Sequence, residues 1–207
     1  MRTLLDKFFA NAFVAYIRFV FFTSKITTVG DFTRLDPNHD EKFIIGFWHG
    51  ENYCFYPLLK NTGFYVITTT SARGAAIQGI CDFFGYKAIR LPDESNGQNF
   101  IFKLRQQISK TDPRTLAVAL DGPQGPQYEP KKFVLLTALS TRRRLLPISV
   151  KVKRKIVATN RWDDYIVPLP FSHMEFTLHE PIDVVNGALD ETAEMIRREM
   201  GVSSKTL

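Results

Sequence analysis

FIIGFWHGE, residues 43–51, is the stretch from which the rest of the chain is read. From Phe43 to Trp48 the residues are apolar and rich in Phe and Ile, with no polar alternation. A short run of this kind suits a strand buried on both faces of a parallel sheet. It stops at His49-Gly50-Glu51, and the NYCFYPLLK that follows reads as the start of a helix. His49 is therefore expected at the carboxyl end of a buried strand, the edge at which open α/β sheets bind their ligands. A lone histidine is more often structural than catalytic. Its weight depends on what else reaches that edge.

Downstream, strands and helices alternate. Residues 64–69 (FYVITT) predict a strand and 73–84 a helix with Ile77, Ile80, Cys81 and Phe84 on one face. Residues 87–90 form a short strand, and 97–110 a helix with Phe100, Ile101, Leu104 and Ile108 at helical spacing. TLAVAL (115–120) is another buried strand, 130–142 a helix opened by Pro130, and 145–151 a strand. The region 153–180 is more β-like, and 189–200 closes the chain as a helix. This order argues for a mainly parallel sheet with helices on both faces.

Upstream, a polar stretch at 36–41 separates the sheet region from LLDKFFANAFVAYIRFVFF, residues 4–22. Asp6, Lys7 and Arg18 interrupt it too often for a membrane span, and it lacks a small-residue cleavage pattern. Wound as a helix it carries a broad aromatic face. Two readings fit: a helix lying on a membrane surface, or one packed over the protein's own sheet.

Composition narrows the partners. A chain of 207 residues is long enough for one substantial core, and 44% hydrophobic with 23% charged residues excludes disordered and fibrous classes. The net charge of +6 favours anionic partners: phosphorylated molecules, acidic carrier proteins, anionic lipid or nucleic acid. Nucleic acid is the weakest of these, because basic residues are not interleaved with aromatics as in known modules. Cys54 and Cys81 offer neither a disulfide framework nor metal-ligand spacing, so a reducing compartment is expected.

Two loops carry candidate chemistry. DGPQGP, Asp121–Pro126, follows the strand TLAVAL directly, and its glycines and prolines make a tight turn. Asp121 is expected to leave the sheet there with its carboxylate open to a ligand, while Gly122 permits close backbone approach. Lys131 and Lys132 start the next helix, where positive charge adds to a favourable anion site. In GYKAIR, residues 85–90, Arg90 emerges at a strand end with a planar fork suited to phosphate. Pro147 reads as an edge or bulge position in its strand.

In order, His49, then Gly85…Ile89-Arg90, then Asp121-Gly122-Pro123, then Pro147 resemble the motif blocks of the glycerolipid and lysophospholipid acyltransferase superfamily. The resemblance is closer to the branch called domain of unknown function 374, related to lipid A acyltransferases. Its D-G-P-x-G-P stands at Asp121–Pro126. Its W-D…I-P-x-P-F-S…E-P-I signature stands at Trp162-Asp163, Ile166, Pro168–Ser172 and Glu180-Pro181-Ile182. The likeness spans Ile26 to Val185.

The resemblance implies an α/β, glycerolipid acyltransferase-like fold, with residues 1–24 a membrane-interfacial helix and 25–207 the acyltransferase-like domain. It implies transfer of a fatty acyl chain from acyl-CoA or acyl-carrier protein to a hydroxyl of a lysophospholipid- or glycolipid-type acceptor. His49 is then the general base, and Glu51 and Asp121 are the candidates for its acidic partner. Main-chain amides near the start of the helix after His49 are expected to receive the oxyanion. Arg90, Gly122, Pro123, Lys131 and Lys132 are expected to hold the acceptor's anionic group. No metal or other cofactor is expected, because the thioester supplies the driving force. The expected partners are a lipid acceptor, a membrane surface and acyl-carrier protein, with no nucleic acid. The expected location is cytoplasmic, peripheral on the inner face of the cell membrane.

Departures from the pattern support an alternative, a lipid-binding protein of the same fold with impaired catalysis. Five residues after His49 stands Cys54, where the superfamily has Asp, and residues 71–75 (SARGA) lack the branch's carboxylate. Gln124 stands where Arg is usual.

Overall fold

The computed structural model describes residues 2–60, 63–70, 72–91, 98–111 and 113–202. In chain order the elements are α1 (Arg2–Thr23), β1 (Lys25–Val29), β2 (Phe43–Phe47), β3 (Tyr65–Thr69), α2 (Ala72–Phe83), β4 (Lys87–Leu91) and α3 (Gln98–Thr111). There follow β5 (Thr115–Ala119), α4 (Lys132–Thr141), β6 (Arg144–Val152), β7 (Lys155–Ala158), β8 (Tyr165–Pro168), β9 (His173–Leu178) and α5 (Leu189–Glu199).

Seven strands form one sheet in the order β1-β9-β6-β2-β5-β3-β4. From β6 through β4 every neighbouring pair is parallel; β9 runs antiparallel to β6, and β1 lies parallel to β9. All five residues of β2 are buried, which explains why FIIGF has no polar alternation. Phe43, Ile45 and Phe47 face a cluster with Val14, Ile17 and Val20 of α1 and Cys81 of α2. Ile44 and Trp48 face the opposite cluster, with Leu104 of α3, Val134 and Leu135 of α4 and Ile196 of α5. Helices thus cover both faces.

The differences from expectation are local. NYCFYPLLK does not open an α-helix: His49–Cys54 is a 3₁₀ turn, and turns continue to Lys60. β1 was not visible in the sequence. Pro147 sits on an interior strand with its carbonyl toward the β9 side, where it accepts the His179 N–H at 3.0 Å, so its missing N–H takes nothing from the pairing with β2. Ser71 of the 71–75 stretch lies outside the described residues. β7 and β8 form a separate antiparallel pair that folds back over the 3₁₀ turn. That hairpin places the site.

Candidate active site

His49 follows β2 at the carboxyl edge of the sheet, and two contacts fix it. Its main-chain N–H donates to Asp121 Oδ1 at 2.9 Å. Its ring Nδ1 lies 2.7 Å from Oδ2 of Asp163, a residue 1% exposed that lies between β7 and β8. Asp163 is therefore the carboxylate that orients the ring. Arg161 holds the same carboxylate with two nitrogens, Nε on Oδ1 at 2.9 Å and a terminal nitrogen on Oδ2 at 3.0 Å. Burial alone would raise the Asp163 pKa, but the hydrogen bonds from Arg161 and His49 outweigh it and hold it below the usual carboxylate range. Facing an ionised carboxylate, Nδ1 carries the proton, which leaves Nε2 as the basic nitrogen. The imidazole lies between the Trp162 ring, 5.3 Å between centroids, and the edge of Tyr165 at 5.8 Å.

Two glycines make this approach possible. A Cβ on Gly50 would stand 2.1 Å from the Asp163 carbonyl oxygen. A Cβ on Gly125, in the turn after β5 with φ 66°, would stand 2.4 Å from the Trp162 ring. Both positions must lack a side chain for residues 161–164 to lie against the end of β2.

The expected partners of the imidazole have other places. Asp121 is fully buried rather than open to a ligand, and its carboxylate brackets the loop by accepting His49 N–H and, at 3.3 Å, Tyr128 N–H. Burial raises its pKa against those two hydrogen bonds. Ring Nδ1 pairs with Asp163 rather than with Glu51, whose Oε2 is closed off from solvent without a hydrogen-bond partner. Burial, aided by nearby Asp121, pushes its pKa up to about 8. Cys54, in the position of the missing Asp, is a buried thiol whose pKa burial raises.

Among the anion-binding candidates, Lys131 turns its ammonium onto the Gly125 carbonyl and covers Gly122, so it staples the loop. Gly122 is buried beneath it, while Pro123 and Lys132 are exposed. Arg90 lies at the same sheet edge, but three strands from β2, on the order of 14 Å away. One of its terminal nitrogens donates to the Thr70 carbonyl at 2.9 Å. Among the described residues no three His, Cys, Asp or Glu side chains converge to hold a metal.

The backbone superposes on the crystal structure of the 1-acyl-sn-glycerophosphate acyltransferase PlsC from Thermotoga maritima with a TM-score of 0.55 and 16% sequence identity. The match covers all of this chain and 84% of that one. The fold is an acyltransferase fold. In sequence, the chain is 28% identical over 205 residues to an uncharacterized protein of Rickettsia prowazekii, with 89% of each chain covered. No family model matches. Within the acyltransferase fold, the residue that sequence reasoning missed is Asp163. The W-D pair was visible as part of a signature, but nothing in its local pattern linked it to His49.

Proposed function

We propose that the protein is an acyltransferase in which His49 is the general base and Asp163 its orienting carboxylate. The observation that carries this reading is the 2.7 Å contact between His49 Nδ1 and a buried, ionised Asp163 at the carboxyl edge of the sheet. Nε2 takes the proton of the acceptor hydroxyl as that oxygen attacks the thioester carbonyl carbon. The tetrahedral intermediate collapses with cleavage of the carbon–sulfur bond, and the imidazolium returns the proton to the leaving thiolate. The products are an ester and a free thiol. Asp163 stabilises the imidazolium between the two steps. The lack of a carboxylate five residues after His49 favours a binding-only protein; Asp163, arriving from elsewhere in the chain, supports catalysis instead.

The donor class is acyl-CoA or acyl-carrier protein, and the acceptor a lysophospholipid- or glycolipid-type hydroxyl. Arg90 and the exposed Lys132, both at the carboxyl edge of the sheet, support an acceptor with an anionic headgroup. The test follows free thiol release across donor and acceptor panels for the wild type, His49→Ala and Asp163→Asn. Each variant should lose about 10²–10⁴-fold in rate while staying folded. A folded His49→Ala protein with undiminished turnover overturns the mechanism. Asp163→Asn with wild-type turnover removes the dyad from it.

A further inference from the structure

The turn between β7 and β8 is closed by two main-chain hydrogen bonds. Arg161 N–H donates to the Ala158 carbonyl at 3.1 Å, and Asp164 N–H to the Arg161 carbonyl at 3.4 Å. Asp164 completes it with φ 43°, a left-handed conformation that Asp tolerates. The turn brings Arg161, Asp163 and Tyr165 together, and the three form a closed circuit with His49. The His49 ring holds Asp163, and Asp163 is held in the Arg161 fork. The guanidinium carbon lies 4.9 Å from the centroid of the Tyr165 ring, and Tyr165 in turn packs against His49. The Tyr53 ring backs Tyr165 at 4.5 Å.

Within this circuit Arg161 supplies what His49 cannot. The imidazole reaches one carboxylate oxygen of Asp163, Oδ2. Among the described residues, Oδ1 takes its hydrogen bond from Arg161 alone. Asp163 is fully buried, so without Arg161 that oxygen would be a buried acceptor with no donor. Such a carboxyl gains by taking up a proton or by turning, and either change releases the imidazole from its tautomer. A lysine is no substitute. Its ammonium is a point charge without the planar fork that spans two oxygens, and it lacks the flat face that lies on Tyr165.

We propose that Arg161 is a positioning residue for acyl transfer, whose fork keeps Asp163 a charged acceptor and the ring proton on Nδ1 through each turnover. The proposal rests on the reading of His49 as general base. In this role Arg161 touches neither the thioester nor the acceptor and acts only through Asp163. It also limits the grip of the pair on the proton. When Nε2 takes the acceptor's proton, the imidazolium faces a carboxylate whose charge Arg161 already partly offsets. The ring then passes that proton on to the leaving thiolate instead of retaining it. The Arg161 side chain is 49% exposed, so its removal opens no cavity in the core.

The test compares full-length wild type, Arg161→Ala, Arg161→Lys, Asp163→Asn and the Arg161→Ala, Asp163→Asn double variant in thiol release. Arg161→Ala should lower kcat by about 10–100-fold and leave KM for the donor unchanged. Arg161→Lys should recover part of that loss. Guanidinium ion added to Arg161→Ala should recover part of it too, and should not speed the wild type. Once Asp163 is Asn, removing Arg161 should cost nothing further. A second readout needs no substrate: the proton resonance of the ring Nδ1–H, assigned by its absence in His49→Ala. It should shift or vanish in Arg161→Ala at unchanged Tm. Wild-type kcat in Arg161→Ala, with Asp163→Asn impaired, overturns the proposal and leaves His49 as the base. Losses that add in the double variant overturn it, and so does a raised KM at unchanged kcat, which would make Arg161 a substrate-binding residue. Should Arg161→Ala melt below the assay temperature, Arg161→Lys decides, and wild-type rate with an unmoved resonance there overturns the proposal. Undiminished turnover in His49→Ala instead removes the general-base reading itself.

Discussion

Glu51 is the carboxyl nearest His49 in sequence, and burial gives it a different role from that of Asp163. With a pKa near 8 in the folded chain, against about 4.5 ordinarily, it holds a proton that the unfolded chain releases. Native protein therefore binds the extra proton between those values, and stability falls as pH rises from about 4.5 to about 8, then levels off. Glu51→Gln removes this titration. The unfolding free energy of the wild type minus that of the variant should decline from pH about 5 to about 8 in urea titrations, and a flat difference would show Glu51 ionised throughout. Asp163 has the opposite sign: its lowered pKa contributes stability above the ordinary carboxylate range that is lost as pH falls through the folded value. The sequence singled out His49 as a candidate because a strand end is legible from a single apolar run. It offered Glu51 and Asp121 as its partners and missed Asp163. That choice depends on which carboxyl points at the ring, and the sequence separation of 114 between His49 and Asp163 is spanned only in three dimensions.

At the scale of elements, the central strands and α2 to α5 were readable to within a residue or two, the strands as short unbroken apolar runs and the helices as apolar residues at a 3.6-residue spacing. The short irregular pieces were not. β1 carries exposed and half-buried residues, and the 3₁₀ turn at His49–Cys54 has apolar positions that a helix would share. The β7–β8 hairpin was seen only as β-like sequence, yet it delivers Arg161, Trp162 and Asp163 to the site. Its seating depends on Gly50. Gly50→Ala should force the Asp163 carbonyl outward, cost about 1–3 kcal/mol in stability and lower turnover by more than the stability loss explains. Turnover is measured on folded protein below its Tm. A variant with wild-type turnover would show that the hairpin need not lie so close. The 3₁₀ turn also changes the expected source of oxyanion donors, since its Glu51 N–H is already taken by the Trp48 carbonyl.

Across the whole molecule, α1 serves two surroundings at once, and magnitudes decide what its removal would do. Its inner side buries Val14, Ile17 and Val20 fully against the sheet, with Phe13, Tyr16 and Phe21 packed beside them. Full burial of such side chains stabilises by about 1.5–3 kcal/mol each, so the first three alone approach the ~5–15 kcal/mol that separates folded from unfolded domains. The helix is also tied to the β7–β8 hairpin and the turn after it: Tyr16 OH donates to the Pro168 carbonyl at 2.8 Å, and Thr23 and Ser24 accept the N–H groups of Phe171 and Ser172. Deleting residues 1–24 should therefore abolish the cooperative thermal transition followed by circular dichroism, not merely detach the protein from lipid. A truncated chain that melts cooperatively near the wild-type Tm would show that α1 adds little to the core, and would make its outer aromatic stripe the main reason for its presence.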